Sequence, residues 1–288
     1  MQMMKSSGSL HHATDPLRQR VDLDAALDDV GRQRGRETRS IRPLSMEKRI
    51  KMAPIALILG AGKNIGAGVA AHFSAAGYSI ALVARGFPAP SPSTDPETGH
   101  LRIRADLADP AQVRDAFAQA RQHFGGAPPR VVVYNAATLT PPPDAGNLFS
   151  LPVEQVEADL RLMNSSAWVA AGEAVRGWTE DADAEEGRKG RFIYTGNILN
   201  VTKLPVPALV TLGIGKNAAW SWVELADALY KDTKGWRFFY ADERKADGSS
   251  IGNVPDANSN GKFYLELAEG AKDLPSTVTF VDGKYKKF

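Results

Sequence analysis

The sequence predicts an α/β fold in which a parallel β-sheet is covered by helices on both faces, the doubly wound arrangement. Short apolar segments alternate along the chain with longer segments whose apolar residues recur at helical spacing. Such alternation favours parallel strands joined by crossover helices. The chain has 288 residues, of which 43% are hydrophobic, and it can bury a large core as one domain.

The first predicted unit is a strand at 54–59, a glycine-rich turn, a helix at 64–76 and a second strand at 78–84. Gly60 and Gly62 avoid Cβ clashes where the turn would bring backbone amides close to a pyrophosphate. Gly66 and Gly68 would let the helix pack on the sheet, with its positive end toward the anion. Many such turns carry glycines for steric reasons alone, but the flanking strands favour a nucleotide site.

The remaining predicted elements continue the alternation. Strands are predicted at 101–104, 130–134, 191–195, 236–240 and 277–281, and helices at 109–124, 152–177 and 216–231. Asp109 and Pro110 are a capping residue and a first-turn proline. Four prolines within 85–96 exclude a long crossover helix there, which leaves a loop or a very short helix. The acidic segment at 180–190 is expected to be a solvated loop.

Residues 1–52 contain no Phe, Trp or Tyr and cannot build a core. They hold five of the six methionines and carry 11 Lys and Arg residues against seven Asp and Glu. We expect a disordered tail, or an upstream extension of a protein that naturally starts near Met52. A mitochondrial presequence is less favoured, because such peptides are poor in acids and this segment has Asp22, Asp24, Asp28 and Asp29.

Composition restricts the class of protein. The formal net charge of +2 argues against strong electrostatic binding to nucleic acid, and no apolar run is long enough to span a bilayer. The absence of cysteine excludes disulfides, thiolate nucleophiles and cysteine-based zinc sites. His72 and His123 lack the spacing of a metal site. We therefore predict a cytoplasmic protein with no metal site and no membrane or nucleic-acid partner.

Three motifs resemble those of the short-chain dehydrogenase/reductase family of Rossmann-fold oxidoreductases. The family's Gly-x-x-x-Gly-x-Gly pattern matches Gly62, Gly66 and Gly68, although Ala61 precedes it where threonine is usual. Asp106 matches the family's adenine-contacting aspartate. The family's Asn-Ala-Gly motif appears as Asn135-Ala136-Ala137, with its last glycine replaced.

The resemblance covers about 54–240 and implies a Rossmann-fold domain, here 53–288, that binds NAD(H) or NADP(H). The residues expected to contact the cofactor are Gly60, Gly62, Lys63, Asn64, Ile65, Gly66, Arg85, Asp106, Asn135, Ala136 and Lys216.

Two positively charged side chains indicate which cofactor is preferred. An acid at the end of the second strand would bond a ribose 2′-hydroxyl but repel a 2′-phosphate. This chain has Arg85 there and Lys63 inside the glycine loop, as in NADP-preferring members of the family. NADP(H) is therefore predicted over NAD(H), unless both side chains are ordinary solvated cations.

The catalytic residues expected from the resemblance are Lys216, Asn164 and Asn197. Lys216 matches the lysine that anchors the nicotinamide ribose, Asn164 the structural asparagine that holds a water in the proton relay, and Asn197 stands where the substrate-orienting serine falls. The family's tyrosine, four residues before the lysine, is replaced by Leu212, which has no proton to give. The alternative for Lys216 is a lysine that caps the start of an exposed helix.

Another group would have to supply the proton if hydride transfer survives. The candidates by position are Tyr194, Thr195, Thr202, Thr211 and Tyr240, with Thr195 and Thr211 expected at the mouth of the substrate site. A cluster of charged residues, 242–244, follows the sixth strand, where most relatives carry Pro-Gly. It is either a solvated turn with local ion pairs or a recognition element for a polar substrate.

The leading functional prediction is an NADP(H)-binding oxidoreductase acting on a small or medium organic carbonyl, alcohol or activated double bond. The alternative is a catalytically degenerate relative that serves as an NADPH-binding regulator or a non-redox isomerase or cyclase. Family members often pair through the two long helices, so a homodimer or tetramer is expected. Trp220 and Trp222 face different sides of one of these helices, and each is either core or interface.

Overall fold

The computed structural model describes residues 53–181, 189–270 and 273–288. The predictions for 1–52 lie outside the described residues, as does most of the loop predicted at 180–190.

A nine-stranded sheet runs through the centre of the described residues. Its strands are β1 (Ile55–Leu59), β2 (Ser79–Ala84), β3 (Ser93–Thr94), β4 (Leu101–Arg104), β5 (Val131–Tyr134), β6 (Arg191–Thr195), β7 (Arg237–Glu243), β8 (Thr277–Val281) and β9 (Lys284–Tyr285). Their order is β3-β4-β2-β1-β5-β6-β7-β8-β9. All pairs from β4 to β8 are parallel, while β3 and β9 pair antiparallel at the two edges.

Six α-helices cover this sheet within the described residues. They are α1 (Ile65–Ala75), α2 (Pro110–His123), α3 (Val153–Leu160), α4 (Ser166–Glu180), α5 (Val210–Lys234) and α6 (Ala257–Glu269). Buried residues of α1 and α6 pack on one face, and those of α2, α4 and α5 pack on the other. The predicted doubly wound α/β fold is confirmed.

The sheet order fixes where a ligand can bind. From β1 the chain builds outward through β2 to β4, and it then returns to the other side of β1 with β5. In open α/β sheets this reversal leaves a crevice at the carboxyl ends of the two strands, where ligands bind. The strands that flank it are wholly buried, because both β1 and β5 are continuous apolar runs covered on both faces.

Two predicted helices have different bounds in the structure. The predicted helix at 152–177 consists of α3, a π-helical segment (Arg161–Ser165) and α4. The predicted helix at 216–231 begins earlier, at Val210, and its last turn is followed by Gly235 in the left-handed conformation, with φ of 70°. Helical spacing of apolar residues marks a helix but does not reveal a one-residue π insertion, since the spacing on either side is unchanged.

The sequence prediction missed α6, β3 and β9. The first turn of α6 is small and polar, and it depends on the Asp256 carboxylate, which accepts a hydrogen bond from the Ser259 amide at 2.6 Å. The proline-rich connection after β2 is a loop, as expected, with two residues added to the sheet as β3. Among the described residues, no helix is both long and apolar enough to cross a membrane.

Candidate functional site

The turn after β1 is built from backbone packed on backbone. Gly60 has φ of 90°, and its amide and that of Ala61 both donate to the Val83 carbonyl at 3.0 Å. A Cβ on Gly60 would lie 2.6 Å from the Ala136 nitrogen. The Asn135 side-chain amide donates to the Gly60 carbonyl at 2.8 Å. The ends of β1, β2 and β5 are thus joined at the crevice, with no room for a side chain on Gly60.

The other glycines of this turn have separate roles. A Cβ on Gly62 would meet nothing within 4 Å, so one side of the loop is open. A Cβ on Gly66 would lie 2.8 Å from the Ala61 Cα, and one on Gly68 would overlap the Ala257 carbonyl. The expectation that Gly68 packs α1 on the sheet is therefore wrong, because Gly68 instead lets α1 approach the backbone of α6.

The open side of the glycine loop can accept an anion. The loop leads into the amino end of α1, whose first turn carries no acidic residue. Unpaired amides and the helix dipole make such an end favourable for phosphate. Ile65 is the first residue of α1, and the Asn64 side chain donates to the Pro255 carbonyl at 2.9 Å, which ties the loop to the segment before α6.

The two positively charged residues that are predicted to select the cofactor lie in this loop and at the end of β2. Lys63 and Arg85 are both exposed, and Arg85 directly follows the last residue of β2. Arg104, which the sequence argument did not include, is also exposed and pairs in register with Ala84. Asp106 accepts a hydrogen bond from the Ala108 amide at 3.0 Å and shapes the turn before α2.

Asn164 lies in the π-helical segment between α3 and α4. Its side-chain amide donates to the Gly215 carbonyl at 3.2 Å, directly before Lys216 in the chain. Its side-chain oxygen is buried and has no hydrogen-bond partner among the described residues. A π insertion often marks a functional position, because it turns a side chain away from the regular helical face.

Lys216 is inside α5 and is only 3% exposed. Its ammonium donates to the Thr195 carbonyl at 2.6 Å and lies 4.7 Å from the centre of the Tyr194 ring. Burial lowers the pKa of Lys216 to about 7, and the nearby Asp242 carboxylate acts in the opposite direction. The alternative of a lysine that caps an exposed helix is therefore wrong.

Asn197 and Leu212 are the residues that the sequence analysis expected at the positions of the family's serine and tyrosine. The Asn197 side-chain oxygen accepts a hydrogen bond from the Leu199 amide at 3.0 Å, capping a short 3-10 helix (Ile198–Asn200). Leu212 is partly buried in the first turn of α5. The structure brings Asn164, Asn197 and Lys216 to the carboxyl ends of β5 and β6.

Three tyrosines form a stacked ladder that the sequence argument did not find. Tyr134, Tyr194 and Tyr240 pair in register on β5, β6 and β7, with ring centres 5.8 and 5.9 Å apart. Their hydroxyls donate to backbone carbonyls of Leu162, Met163 and Asn197, respectively. Burial raises the pKa of each phenol. The signal in the sequence is a tyrosine near the end of three successive strands.

Thr195 and Thr211 do not lie at the mouth of the site. Both are buried; Thr195 accepts a hydrogen bond from the Tyr264 hydroxyl at 2.9 Å, and Thr211 donates to the Asp159 carboxylate at 2.6 Å. The expectation of an open position fails because α5 starts earlier than predicted and carries Thr211 into the interface with α3. Thr202 is partly buried and lines an apolar groove of about 630 Å³ beside the first turns of α5.

The charged cluster 242–244, at the carboxyl end of β7, is buried, so the solvated turn is the wrong alternative. Asp242 and Arg244 form an ion pair, with the guanidinium Nε 2.6 Å from the carboxylate, and both are under 9% exposed. Burial raises the pKa of Asp242, although Arg244 opposes this. Glu243 points to the opposite face, where it accepts hydrogen bonds from the Asn260 side chain and the Asp256 amide.

Comparison with known proteins identifies the family. No family model matches the chain. The short chain dehydrogenase/reductase dmxR12 of Cryptosporiopsis sp. (strain 8999) is 36% identical over 244 residues, which cover 80% of this chain and 93% of that protein. The chain belongs to the short-chain dehydrogenase/reductase family. A 2-(R)-hydroxypropyl-CoM dehydrogenase of Xanthobacter autotrophicus is 32% identical over 116 residues, 37% of this chain and 43% of that protein.

Solved structures with the same fold are more distant in sequence. A short-chain dehydrogenase/reductase from Serratia marcescens has a TM-score of 0.59 at 18% identity, covering 80% of this chain and 96% of that one. An NADH-dependent reductase complexed with NAD has a TM-score of 0.65 at 18% identity, covering 80% and 94%. A short chain dehydrogenase from Burkholderia cenocepacia in complex with NADP has a TM-score of 0.60 at 20% identity, covering 80% and 96%.

Proposed function

We propose that this chain is an NADP(H)-binding oxidoreductase that acts on a small or medium organic carbonyl, alcohol or activated double bond. The observation that carries the proposal is the tight turn at Gly60, which opens on one side at Gly62 and leads into the amino end of α1. Solved relatives in complex with NAD and with NADP favour a dinucleotide in this position.

The residues around the crevice fit a nicotinamide dinucleotide. The glycine loop and α1 would hold the pyrophosphate, and Asp106 would contact the adenine. Asn135 and Ala136 would form the wall beside the nicotinamide riboside. Lys216 would hold the ribose through a charge-assisted hydrogen bond. Bound there, the cofactor would supply a hydride. The buried and unpartnered oxygen of Asn164 is suited to hold a water between Lys216 and solvent.

Asn197 would orient the substrate oxygen in place of a serine. Its side-chain oxygen accepts a hydrogen bond from the Leu199 amide, which leaves its side-chain NH2 to donate a hydrogen bond to substrate. Such a donor polarises a carbonyl but transfers no proton. The active site would therefore be atypical, with Asn197 and Leu212 in the places of the usual serine and tyrosine.

Arg85 and Lys63 would select NADP(H) through the 2′-phosphate. A calorimetric titration with NADPH and, in parallel, NADH tests this. We expect NADPH to bind more tightly, and Arg85→Asp to reverse the preference by at least about tenfold, since it replaces attraction by repulsion. Arg114→Asp, an exposed position on α2, is the matched control for the change in net charge. An unchanged NADPH/NADH affinity ratio in Arg85→Asp would contradict the assignment.

A second function, an NADPH-binding regulator or a non-redox isomerase or cyclase, has two observations in its favour. Leu212 has no proton to give, and the ladder hydroxyls are held by backbone carbonyls. Deuterium transfer separates the two functions. With labelled NADPH and a panel of ketones and aldehydes, deuterium in a product supports the oxidoreductase. Cofactor binding with no deuterium in any product would favour the second function.

We also propose that the chain forms a dimer or tetramer in the cytoplasm through α4 and α5. Trp220 donates to the Thr277 hydroxyl, and Trp222 packs on Phe192, so both serve the subunit's own core. Trp168, Leu225 and Leu229 are instead over half exposed along a shared groove. Light scattering on Leu225→Glu with Leu229→Glu should report a smaller particle than the parent protein. An unchanged mass would reject this surface.

A further inference from the structure

The family resemblance implies a proton donor at position 212, where this chain has Leu212, and three hydroxyls in this part of the molecule already donate hydrogen bonds within the protein. Tyr194 and Tyr240 donate to the backbone carbonyls of Met163 and Asn197. Thr211, beside Leu212, donates to the Asp159 carboxylate. A hydroxyl that already donates its proton to a protein acceptor must break that bond before it can serve a substrate.

Lys216 is the titratable proton donor at this edge that still has N–H bonds to offer a substrate. Among the described residues, its ammonium has one hydrogen-bond acceptor, the carbonyl of Thr195, the last residue of β6, and an ammonium has three N–H bonds. Asn197, which stands where the family's serine falls, follows two residues later. The ammonium therefore lies at the carboxyl end of β6, the edge where the substrate oxygen is expected, and Lys216 is about one helical turn beyond Leu212 on α5.

Asp242 supplies a buried counter-charge on the same face of the sheet. It follows Tyr240 by two residues on β7, so both side chains point toward the side covered by α5. Arg244 occupies one carboxylate oxygen, while the other is buried without a partner among the described residues. The groups that face Lys216 are thus Tyr194 from β6 and Tyr240 and Asp242 from β7.

We propose that Lys216 is the general acid and base of the reaction, in place of the absent tyrosine, and that Asp242 is a positioning residue that stabilises its charged form. This role rests on the proposed hydride-transfer function and deepens it. It requires more of Lys216 than ribose binding, because a permanent cation such as arginine could bind the ribose but could not exchange a proton at neutral pH.

The step balances as a carbonyl reduction. The carbonyl carbon would gain a C–H bond by accepting a hydride from a reduced nicotinamide, whose own C4–H bond would break as its ring is oxidised, and the π pair of the C=O bond would move to oxygen. That oxygen takes a proton from Nζ, whose N–H bond breaks and leaves a neutral amine. The amine regains a proton from solvent through the water expected at Asn164. Burial lowers the pKa of Lys216 to about 7, which suits a group that must give and regain a proton near neutrality.

The first test is a titration of the full chain, free of cofactor, by NMR of lysine 13Cε and 15Nζ. Lys216→Arg identifies the resonance, and Lys231→Arg, an exposed lysine on the same helix, is the matched control. We expect one lysine to titrate near neutrality and its midpoint to fall in Asp242→Asn, because the carboxylate that favours the ammonium is removed. A midpoint near 10 for Lys216, or no change in Asp242→Asn, would overturn the proposal.

The second test separates proton transfer from cofactor binding. Lys216→Arg should bind NADPH within a fewfold of the parent, but should reduce diacetyl, a small diketone probe, about 100-fold more slowly, with the dependence on pH near 7 removed. Lys216→Met should lose both properties. A parent protein that binds neither NADPH nor NADH would reject the proposed function. A Lys216→Arg variant that binds NADPH and keeps the parent's rate would reject only the acid role.

Discussion

The glycine turn after β1 and the buried charges around Lys216 lie at the same edge of one sheet but are built differently. The turn is made of backbone, with Gly60 and Gly66 packed so closely that a Cβ would touch neighbouring backbone atoms. Around Lys216, polar side chains are buried among stacked tyrosines. A site made of backbone depends on a few glycines, whereas a site made of buried polar groups depends on contacts between distant strands.

The largest effect that distinguishes the two regions is expected at Gly60. Gly60→Ala should lower the free energy of unfolding by about 3 kcal/mol, because a Cβ at φ of 90° is strained and would press on the Ala136 nitrogen. Gly62→Ala is the matched control, and it should change stability by less than about 0.5 kcal/mol, since its Cβ meets open space. Urea unfolding followed by circular dichroism measures both. Equal losses would mean that close backbone packing does not define the turn.

The second effect is a dependence of stability on pH that comes from Lys216. Its folded-state pKa of about 7 lies below the ordinary value of 10.5, so between these pH values the unfolded chain binds more protons than the folded one. Stability should therefore rise as pH increases through this window, by at most about 1.4 kcal/mol per pH unit from this group. Below pH 7 and above pH 10.5, Lys216 should leave the free energy of unfolding independent of pH, and the whole increase should fall between these two values.

Chemical unfolding at pH 6, 7, 8 and 9 would measure this dependence in the parent, Lys216→Met and Lys231→Met. The difference between the parent and Lys216→Met should vary with pH with the sign just given, while Lys231→Met should follow the parent. A parent-minus-variant difference that stays constant across the series would show that Lys216 keeps an ordinary pKa in the folded protein.

The smallest effect is expected in the tyrosine ladder. Tyr194→Phe keeps the ring stack but leaves the buried Met163 carbonyl without its donor, which should cost about 1 to 2 kcal/mol in the free energy of unfolding. Tyr230→Phe, whose ring packs on Trp236 and Phe238, is the control and should cost less. Thermal and urea unfolding give both values. Similar losses at the two positions would mean that the Tyr194 hydroxyl adds nothing to the ladder.

The sequence alone predicted the first βαβ unit because its determinants are local. Apolar runs at β1 and β2 and the glycines between them fix a strand, a turn and a helix within about 30 residues. The same local reasoning predicted β4 through β8 and thus the doubly wound sheet. The grouping of Asn164, Asn197 and Lys216 as catalytic residues came instead from the family resemblance and not from local patterns.

Only the tertiary structure shows which polar side chains are buried, and burial sets their hydrogen-bond partners and pKa values. The sequence could not show that Thr211 contacts Asp159, that Gly68 faces α6, or that three tyrosines on separate strands stack in register. Each of these contacts joins residues far apart in the chain, whose distance depends on strand order and helix packing. A lysine in an unfolded chain has an ordinary pKa, and the pKa of Lys216 falls to about 7 because the fold removes water from its ammonium.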